Sequence, residues 1–293
     1  MKTDEAISTI KAEATAKTLV SVTVPTYNSE EVITSCLASV KTQSYPNIET
    51  LVIDSFSTDR TREIAANYGA TVITYPGRLL GARYQGLLHS HGEHVLLLDS
   101  DQVLEATAVE RAISTMDRYD MLVLEELSYQ PKSWLQRLFW ADRQLIHKYI
   151  DEKSLDPFEG TLLPRFFRRK VLLQAFDAIP SELIPVVIHH DHAILYLEAR
   201  KITPRVGILP VAVYHREPSS FITAWKRNFR YGRSLKELPP AGRYKQLVER
   251  RDKGFRRGSF RLENLGLGLQ SLLLLTLLKT AQKAGYWLGR KLV

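Results

Sequence analysis

Val95-Leu96-Leu97-Leu98-Asp99-Ser100-Asp101 is the stretch whose reading decides the fold. Four apolar residues run into two carboxylates at i and i+2, the pattern of a strand covered on both faces whose end emerges at a site. Carboxylates at the C-terminal end of such a strand lie where open α/β sheets bind their ligands. Two hard oxygen ligands suit Mg2+ or Mn2+ held jointly with a substrate diphosphate. A bare D-x-D also has a bland explanation, with Asp99 capping the next helix and Asp101 solvated, so the flanking sequence has to decide.

Upstream, Leu19 to Val24 alternates, is rich in β-branched residues and predicts a strand that Pro25-Thr26-Tyr27-Asn28 breaks. Ser29-Glu30-Glu31 opens a helix to about Gln43, with Asn28 or Ser29 as its cap. Glu49 to Ile53 is a second strand ending at Asp54, and Ser57-Thr58-Asp59 caps a helix over Arg60 to Tyr68 that Gly69 stops. Ala70 to Thr74 is a third strand, and Gly77 to His89 leads through a helix to the strand over Glu93 to Leu98. Strands and helices alternating at this spacing predict βαβ units and a parallel sheet. No fixed-period repeat or low-complexity linker divides the first ~200 residues, which predicts one domain.

At 293 residues, 44% apolar and 25% charged, the chain is an ordinary globular protein with length for a full core. A single cysteine, Cys36, excludes an intrachain disulfide and a multi-cysteine zinc site, and fits a reducing compartment. Met1 to Lys17 is polar with no apolar segment, so no secretory signal is expected there. The net charge of +8 is unevenly placed. Residues 216–293 carry 18 Lys and Arg against 5 Asp and Glu, net +13, and residues 1–215 carry 22 against 27, net −5. An acidic body with a basic C-terminal quarter predicts that the tail faces something anionic.

Four segments together resemble a known family: Val22-Thr-Val-Pro-Thr-Tyr-Asn28, Val52-Ile-Asp-Ser-Phe-Ser-Thr-Asp-Arg-Thr61, Arg83 and Asp99-Ser-Asp101. In order and spacing they resemble family 2 of the inverting glycosyltransferases, and later matches extend the resemblance to about residue 236. It implies the GT-A fold, a mostly parallel Rossmann-like α/β sheet flanked by helices. It implies a nucleotide-diphosphate sugar as donor and Mn2+ or Mg2+ as cofactor. The corresponding organisation is a polar extension over 1–18, a catalytic domain over 19–215 and a basic helical region over 216–293.

The resemblance also implies roles. Pro25 and Tyr27 frame the nucleoside, although a loop tyrosine covering the core is equally compatible with the residues alone. Asp54 accepts from the base or ribose. The family usually places a second carboxylate beside it, where this chain has Ser55. Asp59 is read as a helix cap. Arg83 reaches toward the nucleotide or diphosphate, as guanidinium geometry suits phosphate oxygens. Asp101 is the direct metal ligand, with Ser100 beside the donor and Asp99 turned to the ribose or a metal-bound water. His215, ending Val211-Ala-Val-Tyr-His215, completes the metal shell. Asp191, within Ile188-His-His-Asp-His-Ala-Ile-Leu195, is the candidate general base for the acceptor hydroxyl. The usual Glu before it is His190 here, expected to tune the base or touch the acceptor. Arg165, in Arg165-Phe-Phe-Arg-Arg169, and Arg230 fall on the acceptor or phosphate side. Lys226, Arg227 and Arg233 share with Arg230 the choice between a phosphate and a solvated basic face.

Other features carry less. His189, His190 and His192 cannot all point one way on a helix or strand, which disfavours zinc. His89, His91 and His94 are read as surface residues. Met121 to Glu125 is a strand, Asp156-Pro-Phe-Glu-Gly160 a turn, and Trp134 to Tyr149 a helix. Trp134, Leu138, Leu145 and Tyr149 recur on it at helical spacing, which predicts packing or an acceptor-side wall.

Arg243 to Arg261 holds eight basic residues against two acidic ones, followed by the uncharged run Leu265 to Leu278. Fourteen residues are too few for a spanning helix of ~20. A helix in the interface of an anionic membrane is therefore expected, ahead of one packed on the domain or in a dimer. The predicted function is a metal-dependent, hexosyltransferase-type inverting enzyme acting on a hydroxyl or phosphate acceptor, lipid-linked or a nascent polysaccharide. It is expected in the cytoplasm, peripheral on the cytoplasmic membrane face. A nucleotidyltransferase would want a Gly-rich basic loop where Pro25-Thr-Tyr-Asn28 stands. No G-x-G-x-x-G marks a dinucleotide site, and an acidic catalytic half argues against nucleic acid as a partner. A silent transferase-like scaffold stays open because of Ser55 and His190.

Overall fold

The computed structural model describes residues 18–150, 152, 155, 163–237, 242–249 and 258–289. Its strands are β1 (Val20–Thr26), β2 (Ile48–Asp54), β3 (Thr71–Thr74), β4 (His94–Leu97), β5 (Gln102–Leu104), β6 (Met121–Ser128), β7 (Pro164–Arg168) and β8 (Val206–His215). They form one sheet in the order β3-β2-β1-β4-β7-β6-β8-β5. The β3-β2-β1-β4 half is parallel, as the βαβ spacing predicts. Beyond β4, β7 joins antiparallel to β4 and β6, β8 runs parallel to β6, and β5 closes the edge antiparallel to β8. This is the GT-A arrangement, an α/β sheet flanked by helices.

The deciding strand is buried on both faces. Val95 and Leu97 enter one hydrophobic cluster, with Phe167, Phe176 and Ile194. Leu96 and Leu98 enter the other, with Val22, Ile33 and Phe166. Each fully buried side chain of this size contributes about 1.5–3 kcal/mol relative to exposure, which holds the carboxylates beyond Leu98 to one position.

Several local expectations are corrected. β1 runs through Pro25 to Thr26 instead of breaking at the proline. Its pairing with β4 ends at Thr23 while pairing with β2 continues to Thr26, so the missing Pro25 N–H removes no ladder bond. The first helix is Glu30–Lys41, and Ser29 makes no side-chain cap. Asp59 caps it from across the turn, accepting the Glu30 amide at 3.1 Å, while Asn28 Oδ1 accepts the Thr58 amide at 2.9 Å. Gly69 does end the helix Thr61–Asn67, at φ +80°. His94 is no surface residue: it is buried on β4 and stacks on Phe166 at 5.6 Å, since β4 lies inside the sheet. The expected turn at 156–160 lies outside the described residues.

The helix Trp134–Lys148 opens on a capping box between Ser133 and Gln136. Leu138 and Leu145 are buried as the spacing predicts, but Trp134, in its first turn, is 58% exposed. At the C-terminus the helix is Leu265–Leu288, 24 residues instead of a 14-residue apolar run. It packs against the helices Trp134–Lys148 and Phe221–Ser234. Leu274 joins Leu135, Leu138 and Ala224, and Ser271 Oγ donates to Asp142 Oδ1 at 2.5 Å. Gly232 and Gly285 let backbone meet backbone, because a Cβ at either would collide with the carbonyl of Gln282 or of Phe229. Leu262, Leu265, Leu269 and Leu273 face outward. Leu262–Leu288 is long and apolar enough to cross a membrane by length and composition alone.

Candidate active site

Three backbone features converge beyond the C-terminal end of β4. A tight turn links β4 to β5, with Gln102 N donating to Asp99 O and Asp99 N to Gln102 Oε1. The β5–β8 register then sets Gln102 opposite His215, and Arg216 N donates to Asp101 O at 2.8 Å. Asp101 is thereby brought to His215 across more than a hundred residues of chain. On the other side, the helix Leu79–Leu88 is tied to the segment before Asp191 by Arg78 N to Pro185 O and Leu80 N to Val187 O. His190, at φ 71°, turns that segment into the helix Asp191–Ile202, with Asp191 as its first residue.

The side chains form a continuous run of alternating charge. Arg83 Nε donates to Asp191 Oδ2 at 2.5 Å, and its Nη2 to Asp99 Oδ1 at 2.6 Å. Arg165 Nη1 holds the other Asp99 oxygen at 2.8 Å, and its Nε holds Glu126 Oε1 at 2.7 Å. Arg143 Nη1 joins Glu126 Oε2 at 2.8 Å, and Arg143 Nε joins Glu217 Oε1 at 2.5 Å. Glu217 Oε2 stands 3.3 Å from His215 Nδ1, and His215 Nε2 stands 3.5 Å from Asp101 Oδ2. Arg227 Nη1 lies 3.4 Å from that same oxygen.

Burial would neutralise isolated charges, but the neighbours outweigh it. Burial raises the Asp99 carboxyl, yet Arg165 and Arg83 hold it well below its ordinary range. Glu126, buried between Arg165 and Arg143, is brought down to about 2. Burial lowers His215, and Asp101 with Glu217 reverses this, so the imidazole rises above its usual value. His192 goes the other way: burial, then Arg83 and Arg165, keep it neutral well below 6.5. Burial, with Asp101 and Asp99 behind it, pushes the Cys36 thiol up, so this cysteine is inert.

The residues singled out from sequence fall into distinct settings. Asp191, Asp99 and Arg83 are brought together, but Arg83 is only 1% exposed and serves the two carboxylates, not an open phosphate site. Arg165 is likewise engaged by Asp99, Glu126 and His192 Nε2. Asp54 is fully buried, accepting from Thr26 Oγ1, Ser57 N and Ser57 Oγ, so in this conformation it serves the turn after β2 and offers no surface to a base or ribose. Ser55 Oγ donates to Gly77 O, and Ser100 Oγ to Ser29 Oγ. Pro25 is buried and Tyr27 is 56% exposed beside it. His190 packs on His189, which stacks on Tyr231 at 4.8 Å. Arg230 and Lys226 are exposed, while Arg227 turns inward to Asp101. Glu126, Arg143 and Glu217 were not picked out from sequence. Only Glu217 left a local signal, as the acid two residues after His215.

A divalent cation fits one corner of this arrangement. Asp101 Oδ2 and His215 Nε2 are 3.5 Å apart, close to the roughly 3 Å between adjacent ligands of one octahedral ion with bonds of about 2.1 Å. Asp99 does not fit as a ligand, because both its oxygens are held by arginines. Among the described residues no group of three His, Cys, Asp or Glu is arranged around one ion. Asp101 and His215 alone would hold it, leaving positions for diphosphate and water, the usual way Mg2+-type ions are held.

Comparison with known proteins agrees with this fold. The family described as Glycosyl transferase family 2 matches residues 21–173. UDP-Glc:alpha-D-GlcNAc-diphosphoundecaprenol beta-1,3-glucosyltransferase WfgD of Escherichia coli is 36% identical over 103 residues, 33% of this chain and 41% of that protein. The match thus spans about two fifths of that relative's length. Among solved structures, Staphylococcus aureus TarS 1-349 in complex with UDP-GlcNAc superposes with a TM-score of 0.58 at 20% identity, covering 92% of this chain and 89% of that one. The mannosyltransferase PcManGT of Pyrobaculum calidifontis, with GDP-Man and Mn2+, gives 0.61 at 17% identity, covering 94% and 89%.

Proposed function

This chain belongs to glycosyl transferase family 2, and on that premise we propose that it is a metal-dependent inverting hexosyltransferase using a nucleotide-diphosphate sugar. The observation that carries the reading is the shared guanidinium of Arg83, which joins Asp191 to Asp99 and so ties a base candidate to the turn that carries Asp101.

In this reading residues 19–215 are the catalytic unit, and Pro25, Tyr27 and Ser100 border the donor. Asp101 and His215 would hold Mn2+ or Mg2+, and the ion supplies Lewis-acid stabilisation to the departing diphosphate. Arg227 adds positive charge on the same side. Asp191 takes the proton of the acceptor hydroxyl as its oxygen bonds to the anomeric carbon and the bond to the diphosphate oxygen breaks. Arg83 occupies Asp191 Oδ2, so Oδ1 receives the proton. Arg83 also fixes the rotamer of Asp191. His190 and Arg230 lie on the acceptor side.

The acceptor is a lipid-linked or growing saccharide, by similarity to the relative named for a diphosphoundecaprenol substrate. Residues 216–293 would bring the enzyme to the cytoplasmic face of an anionic membrane, with the outward leucines of the C-terminal helix against lipid and the surrounding cations on headgroups. A catalytically silent scaffold is the second reading, favoured by the ion pair already covering one Asp191 oxygen.

The test is a thermal-shift panel of nucleoside diphosphates and nucleotide sugars with and without Mn2+, followed by donor turnover. Metal-dependent stabilisation by one nucleotide class, abolished in Asp101→Ala, supports the reading. Asp191→Ala should keep that stabilisation and lose transfer. Stabilisation without hydrolysis or transfer of any donor would favour the scaffold.

A further inference from the structure

We propose that Glu217, held by Arg143, is the positioning residue that fixes His215 in the orientation and tautomer needed to capture a cation with Asp101. The inference rests on the metal-dependent reading above and deepens it.

Glu217 is buried two residues beyond the end of β8, at 5% exposure. Its backbone is pinned where Gln136 Nε2 donates to Glu217 O at 2.9 Å. Its two carboxylate oxygens are divided: Oε1 takes Arg143 Nε at 2.5 Å, and Oε2 faces His215 Nδ1 at 3.3 Å. Neither Nδ1 nor Oε2 makes a hydrogen bond, so the 3.3 Å approach leaves each with the other as its buried charge partner. Arg143 is fixed in turn, its Nη1 donating to Glu126 Oε2 at 2.8 Å.

An imidazole has one lone pair to offer when it carries one proton, and the group facing the other nitrogen decides which nitrogen that is. A carboxylate accepts but does not donate. When the imidazole is neutral, Glu217 therefore keeps its proton on Nδ1, and a cation between Nε2 and Asp101 Oδ2, 3.5 Å apart, would take the Nε2 lone pair in place of the second proton. It also holds the ring plane, so little rotational freedom is lost on binding. Partners of this kind typically set metal affinity by 10- to 100-fold.

Arg143 makes Glu217→Gln a sharp probe. The guanidinium only donates, so it draws the amide oxygen to itself and turns the amide NH2 toward Nδ1. That nitrogen must then accept, the proton moves to Nε2, and the lone pair is lost to the cation.

The experiment titrates Mn2+ by EPR into the full chain with saturating UDP and, separately, GDP. Glu217→Gln should weaken Mn2+ at least about 10-fold at temperatures below its melting transition, which should itself fall because Arg143 loses a buried counter-charge, while nucleotide affinity in the absence of metal stays close to wild type. His215→Ala should weaken it as much, and combining the two should add little. A Glu217→Gln protein that melts earlier yet binds Mn2+ normally while His215→Ala does not would overturn the inference and leave the proposed function standing. Wild-type protein that binds no Mn2+ with either nucleotide would overturn both. Should the variant not fold, long-range 1H–15N spectra of Mg2+-loaded wild type decide instead: His215 protonated on Nδ1 supports the inference, and protonated on Nε2 overturns it.

Discussion

Arg83 Nε stands 2.5 Å from Asp191 Oδ2, 108 residues apart in the chain, while the same guanidinium holds Asp99. A buried arginine between two carboxylates is a brace, and removing it strands both anions in a poorly solvated place. Arg83→Met should lower stability by about 3–5 kcal/mol, the usual cost of breaking a buried pair, and abolish transfer. Arg83→Lys keeps the charge but has no fork to span both acids. It should fold and lose turnover while retaining donor affinity, as checked by thermal unfolding and a transfer assay.

The two acids of the D-x-D should separate in their effects. Asp99→Asn leaves Arg83 and Arg165 without their shared counter-charge and should lower the metal-free melting temperature markedly. Asp101, a quarter exposed and loosely approached by His215 and Arg227, should tolerate the same change with little effect on melting. Asp101→Asn should instead remove the extra stabilisation that Mn2+ confers with a nucleoside diphosphate. Differential scanning calorimetry with and without metal distinguishes them.

Acidification should destabilise the fold through its buried neutral histidines. Burial, then Arg168, lowers His94, and burial likewise lowers His147 and, with Arg83 and Arg165, His192. Below the unfolded value of about 6.5 the unfolded chain binds protons that these folded imidazoles refuse, so stability falls as pH drops. His215 has the opposite sign, its stabilisation being complete below about 6.5 and lost as pH rises through its raised folded value. The melting temperature should therefore fall between pH 7 and 5.5, and His94→Phe, which keeps the stack on Phe166, should reduce that slope.

Gly285→Val should unseat the C-terminal helix. The added carbons meet the Phe229 carbonyl, which belongs to a helix backbone and cannot swing away. A cost of about 1–3 kcal/mol, as for overpacked cores, should appear as faster amide exchange confined to Phe221–Ser234 and Leu265–Leu288. β1 to β4 should be unchanged.

The sheet was legible because burial on both faces writes itself as a continuous apolar run, and Val95 to Leu98 is one. Asp99, Asp101, Asp191 and His215 were singled out through family resemblance, and the structure links Asp191 to Asp99 through Arg83 and sets His215 beside Asp101. The rest of the site was not, because its partners are remote in sequence. Nothing near Arg83 announces that Asp191 and Asp99 will enclose it, and nothing near Asp54 shows that Ser57 and Thr26 consume its oxygens. Glu126 lies on β6, where pairing with β8 sets it opposite Val213, and Arg143, on a helix, meets Glu126 and Glu217 only in the folded chain. The C-terminal helix was read as a short apolar segment because most of its buried face is Gly268, Ser271, Ala281 and Gly285, small residues whose inward periodicity a count of leucines misses.

The glycine seam at Gly232 and Gly285 has a mechanical consequence. With main chain touching main chain along that line, and Ser271 tied to Asp142 on the helix Trp134–Lys148, the outward leucines cannot tilt or sink apart from the two helices they pack on. Seated on a bilayer, such an enzyme would work at a set height and inclination. The span between headgroups and Asp191 would then act as a ruler, selecting acceptors by how far their reactive hydroxyl projects from the lipid.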